Sequence, residues 1–142
     1  MSAKFWKFFL HFSGVATLLG PLPSMISPVS GTLLTLKLDI SSVNGLAPVI
    51  GHWGIMIVGI GVLIFLSASQ KEIRKTTLLY AIAEKVYMVS GGVYTLITLP
   101  EVGMNFIPVI ISDTIQIIGF TLYFAFEKRR QQKHKSRLVV AQ

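Results

Sequence analysis

Four apolar runs, each near the length that crosses a lipid bilayer, constrain this 142-residue chain more than any other feature. They cover residues 5–20, 49–67, 76–99 and 104–126. A spanning helix needs about 20 mostly apolar residues, and at bilayer depth a helix satisfies its own backbone where no water can. By that measure the last two runs are ample, the second is adequate and the first is short. Pro21 and Pro23 end the first run, because proline lacks a backbone donor and clashes with the preceding turn. The predicted fold class is all-α integral membrane, an antiparallel four-helix transmembrane bundle. It forms one domain over 1–127, with an outer loop at 21–48, followed by a basic tail at 128–142.

Composition and charge point the same way. The chain is 52% hydrophobic and 13% charged, with mean hydropathy +0.67, against roughly 25% charged in soluble domains. A net charge of +7 raises nucleic acid as a partner, but most basic residues lie in short flanks of the apolar runs and form no stripe, so none is predicted. With no cysteine, disulfides, thiolate metal sites and cysteine nucleophiles are excluded.

Lys4 and Lys7 precede the first run, Lys71, Arg74 and Lys75 join the second to the third, and Lys128, Arg129, Arg130, Lys133, Lys135 and Arg137 follow the fourth. The opposite side carries only Lys37. The positive-inside rule then places both termini in the cytoplasm of a multi-pass plasma (inner) membrane protein, and a three-span or five-span count breaks the alternation. Lys4 and Lys7 also fit the basic start of a secretory signal. No small-x-small cleavage site closes the run and three more spans follow, which favours an uncleaved helix.

Within the outer loop, Leu34, Leu36, Leu38 and Ile40 alternate with Thr35, Lys37 and Asp39, the period of a half-buried strand. A lone strand has no partner, so a short extended or interfacial cap is the other reading. The tail reads as a disordered orientation signal that attracts anionic lipid. Small residues recur every seven positions: Gly54, Gly61 and Ala68, then Ala83 and Ser90, then Ser112 and Gly119. That spacing keeps them on one side of helices packed in a left-handed bundle.

Polar residues inside the runs mark the candidate site. A charge at bilayer depth costs on the order of 2.5 to 3.5 kcal/mol or more unless it meets a partner or water. Glu84, Asp113 and His11 lie about 12, 13 and 9 Å inside their runs at 1.5 Å per residue, which puts them in a common layer. Tyr80, Glu84, Tyr87, Gly91 and Tyr94 share one helical face, a carboxyl between phenols that can hydrogen-bond it. Lys85 points about 100° away with Ala81, Met88 and Gly92. Asp113 is its natural partner in a structural ion pair, and Gln116, one turn along, can satisfy a remaining donor or acceptor. The ligand-binding candidates are thus Glu84, Tyr80, Tyr87, Asp113, Gln116 and His11, and Glu84 and Asp113 are the catalytic candidates. An apolar setting favours the uncharged form of Glu84, which can donate or exchange a proton. His52 and Trp53 sit at the outer interface, where tryptophan serves as an aromatic-belt anchor. No HxxxH or ExxH spacing, nucleophile elbow, phosphate loop or dinucleotide fingerprint occurs, so neither a metal nor a cofactor is predicted.

The order of parts resembles small bacterial four-span proteins of the DoxX-like and BphX-like kind. The features are a short first helix, an outer segment from Ser27-Pro28 through Leu36-Lys37-Leu38-Asp39, and a glycine-rich second helix from Gly51-His52-Trp53-Gly54 through Gly59-Ile60-Gly61. The resemblance covers the chain to about Phe126. It implies an accessory role of the kind linked to quinone-reducing complexes or aromatic-degradation clusters, and it transfers no functional residue. The leading expectation is an accessory or lipophilic-ligand-binding bundle whose partners are the lipid bilayer and a small molecule or membrane partner subunit. Two others stand beside it: a membrane-embedded isomerase or cyclase with a carboxyl as general acid, and proton or ion conduction along Thr77, Tyr80, Glu84, Tyr87, Ser90 and Tyr94.

Overall fold

The computed structural model describes residues 2–140, with side chains through residue 132. The described residues are almost wholly helical and contain no strand. Seven helices follow in order: α1 (Ala3–Leu19), α2 (Leu22–Ile26), α3 (Pro28–Leu36), α4 (Leu46–Ser67), α5 (Lys71–Thr98), α6 (Pro100–Gly103) and α7 (Ile107–Val140), with a 3-10 turn at Met104–Phe106 before α7. The four long ones match the four apolar runs. Two stretches, Leu46–Ser67 and Pro100–Gln132, are long and apolar enough to cross a membrane. At 17 residues α1 is shorter than such a stretch, and α5 carries Glu84 and Lys85 at its centre.

Proline and serine set the helix starts. Ser2 accepts a hydrogen bond from the Phe5 N–H through its hydroxyl and caps α1. Proline occupies the first turns of α2, α3 and α6, where its missing N–H is not needed. This chemistry corrects the strand reading of the outer loop. Pro23 and Pro28 seed two short helices, and Gly31 lets α3 lie directly on the Pro23 backbone, where a Cβ would overlap it. The apparent alternation over 34–40 is split between the last turn of α3 and an irregular stretch, and Lys37 ends α3 in the left-handed conformation (φ 56°). Beyond it, the Asp39 carboxylate accepts the Ser41 N–H at 2.9 Å, which holds its pKa below the usual value.

The helical backbone of α7 runs on into the basic tail as far as Val140, since nothing after Gly119 is a glycine or proline and residues 127–132 are mostly good helix formers; residues 141–142 lie outside the described residues.

Close packing at glycines holds α1 and α4 together. A Cβ on Gly14 would stand 2.6 Å from the Phe65 N, and one on Gly61 would stand 2.6 Å from the Leu18 N, so the two backbones touch where neither residue has a side chain. Gly54 meets Met25 of α2 in the same way. The predicted Gly54, Gly61 and Ala68 stripe of α4 is buried. On α5 the expected pair, Ala83 and Ser90, is exposed, and Ala81 and Gly92 take the packed positions. Gly119 of α7 receives the ring of Phe9 from α1.

One end of the helix assembly is filled solid. Trp6 and Leu10 of α1, Ile60 and Ile64 of α4, Leu78 and Ala81 of α5, and Phe120 and Tyr123 of α7 form a buried cluster. Trp6 meets Tyr123 edge-on at 5.4 Å and Phe9 meets Phe120 at 5.8 Å. Arg74 closes this end. Its guanidinium donates to the Ser67 and Ala68 carbonyls at the end of α4 and to the Tyr123 hydroxyl at 3.1 Å, so one side chain joins α4, α5 and α7.

Candidate functional site

The other end of the assembly holds a partly open cleft. A cavity of about 220 Å³ opens between the C-terminal end of α1, the N-terminal parts of α4 and α7, the middle of α5 and the last turn of α3. A single water needs on the order of 10–15 Å³ on this scale, so the space suits several waters or a small organic molecule.

Its polar wall starts from Lys85. This side chain is 2% exposed and donates to Asp113 Oδ1 at 2.7 Å, so the predicted ion pair between α5 and α7 is present. One turn further along α7, Gln116 is buried as well. Its Oε1 accepts the Thr17 hydroxyl at 3.0 Å, and its Nε2 faces Ser112 Oγ at 3.4 Å. Two separate polar links thus cross the site, Thr17 to Gln116 between α1 and α7 and Lys85 to Asp113 between α5 and α7. Thr17, a polar residue inside the first apolar run, is the sequence signal for the α1 contribution.

Glu84 also lines the cavity, and its position is unlike that of Asp113. Its Oε2 is buried, lies 4.0 Å from Lys85 Nζ and makes no hydrogen bond. The ammonium is committed to Asp113 at the shorter distance. The lining therefore holds two carboxyl groups, Glu84 and Asp113, and one basic side chain, Lys85.

The remaining candidates are not assembled as the sequence suggests. Tyr80, Tyr87 and Tyr94 are 53%, 79% and 69% exposed and do not flank the carboxyl. The face that packs inward is that of Leu78, Ala81, Lys85 and Gly92, because small residues there admit neighbouring helices; Ile110 lies within contact of Gly92. His11 turns away from the cavity for the same rotational reason. It sits edge-on to Phe65 at 4.6 Å, while Thr17, on another face of α1, reaches the cavity. His52 is exposed. Trp53, expected as an interface anchor, is half-buried against the core and lines the cavity beside Ile57.

No protein-family model, curated protein or solved structure matches the chain.

Proposed function

We propose that this protein is a four-span, multi-pass plasma-membrane protein with both termini cytoplasmic, whose helix bundle binds a small lipophilic molecule in a pocket on the outer side. The observation that carries the reading is the cavity itself: an apolar space with a charged cluster at its wall and a carboxyl oxygen left without a partner.

The membrane part rests on an inverted distribution of polarity. Charged and amide groups lie inside, while Phe8, Phe12, Ile55, Leu63, Leu79, Val86, Ile111 and Ile118 lie on the outer faces of the four long helices. Only 28% and 22% of the residues in the two apolar windows are buried, unlike the central helix of a water-soluble domain. In lipid those outer faces meet a medium as apolar as themselves. The similarity of layout to DoxX-like and BphX-like proteins belongs to the same proposal and suggests an accessory subunit role.

The aromatic and aliphatic cluster at the cytoplasmic end argues against conduction, since no polar path runs through Leu10, Ile64, Leu78 and Phe120. The free Glu84 oxygen favours one second reading, an isomerase or cyclase with Glu84 as general acid, because Asp113 is held by Lys85.

Native mass spectrometry of the full chain, gently extracted in a neutral detergent, tests the pocket. The wild type is expected to carry a small molecule that Glu84→Gln retains less well. Equal retention by both would overturn the role given to Glu84, and release of a rearranged product in place of the molecule supplied would favour the enzyme.

A further inference from the structure

The geometry points to an organic monocation, an amine with an apolar body, as the class of ligand this cavity takes. This rests on the pocket reading above and adds the identity of the ligand chemistry.

The argument is one of charge and donor count. Lys85 and Asp113 neutralise one another at 2.7 Å, and among the described residues the only further ionisable group on the wall is Glu84. An uncompensated buried charge is costly, so Glu84, whose Oε2 has no donor, carries its charge only against a cation that enters the cavity. An anion would face two carboxyl groups and an ammonium already committed to Asp113. A neutral molecule would bring no charge to balance a carboxylate. A bare metal ion would lack ligands, since divalent ions of the oxygen-binding kind take about six or more oxygens. Among the described residues no group of three or more His, Asp or Glu side chains is placed to hold a metal ion.

An ammonium group satisfies both terms. It brings the missing positive charge and up to three N–H donors to an oxygen that has none. The rest of the wall then fits the rest of the molecule. Trp53, Ile57, Met88 and Val109 surround the same space, and an indole face attracts a cation as well as an aromatic or alkyl body. Lys85 does not expel such a ligand, because its own charge is already paired.

Three probes of nearly the same shape decide the matter: 2-phenylethylamine, 2-phenylethanol and phenylacetate, titrated calorimetrically at pH 7 into the full chain in a neutral detergent. The amine is protonated at that pH, as a lysine side chain is. It is expected to bind at least about tenfold more tightly than the alcohol, a ratio worth about 1.4 kcal/mol, and phenylacetate more weakly still. Glu84→Gln should bring amine and alcohol to within about twofold of each other with the alcohol unchanged, and Glu84→Asp should retain part of the preference. Circular dichroism on both variants confirms that the helices persist. Equal affinity for amine and alcohol, preference for phenylacetate, or discrimination that survives Glu84→Gln each overturns the cation assignment while the pocket stands. If none of the three probes binds a wild type that is folded, the pocket reading falls with it.

Discussion

Removing the carboxylate of Asp113 should expose how Lys85 is held, and the size of the effect should depend on Glu84. At 2.7 Å and an effective dielectric constant of 20, the Lys85 and Asp113 charges attract by roughly 6 kcal/mol. Most of that offsets desolvation in the wild type, so it is not the net contribution. Truncation leaves an ammonium that is 2% exposed without its partner, a change that typically costs about 3 to 5 kcal/mol. Glu84 Oε2, however, waits 4.0 Å from the same nitrogen and has no hydrogen bond to lose. A rotamer change to hydrogen-bond distance would let it take over, replacing a good part of the charge-assisted bond that Asp113 supplied. Asp113→Ala alone is therefore expected to cost about 1 to 3 kcal/mol, and in a Glu84→Gln background the full 3 to 5 kcal/mol. Glu84→Gln by itself should cost less than about 1 kcal/mol, because it breaks no hydrogen bond. Reversible unfolding of the protein in bicelles, followed by far-ultraviolet circular dichroism during an SDS titration, measures all four corners of this cycle. An Asp113→Ala cost that is identical in both backgrounds would refute the reserve role of Glu84. A cost below about 1 kcal/mol in the Glu84→Gln background would refute the burial of an obligatory pair.

Three further outcomes follow from other parts of the structure. Gly14→Ala or Gly61→Ala should destabilise by about 1 to 3 kcal/mol in the same assay, since each Cβ would press on backbone at 2.6 Å; Gly91→Ala, with nothing within 4 Å, should stabilise α5 by about 0.5 to 1 kcal/mol. Arg74→Lys should cost about 1 to 3 kcal/mol, because a single ammonium cannot reach two carbonyls of α4 and the Tyr123 hydroxyl together. The chain has no native thiol, so single cysteines at the exposed positions Ser41 and Ser69 report topology: an impermeant maleimide should label Ser41→Cys from outside the cell and Ser69→Cys only after permeabilisation, and labelling of both from one side would end the four-span proposal.

The four long helices and the Lys85–Asp113 pair were legible from residue order alone. Run length and hydropathy select helix wherever the backbone must satisfy itself, and a buried cation with one acid at matching depth has few partners to choose from. The two short helices after α1 were less legible, because Pro23 and Pro28 can begin a helical turn or interrupt an extended segment, and only the seat of Gly31 on the Pro23 backbone settles which. What tertiary packing alone decided is the rotation of each helix about its axis. That rotation buries Lys85, brings Glu84 to the rim of the cavity, turns Tyr80, Tyr87 and Tyr94 outward, draws Trp53 inward and exchanges His11 for Thr17 at the site. Hydropathy is nearly silent on rotation when the exterior of a helix is as apolar as its interior, since leucine or phenylalanine can then face either way at similar cost. The choice falls to shape, to which face carries glycine and alanine where another backbone must pass, and that is a property of pairs of helices.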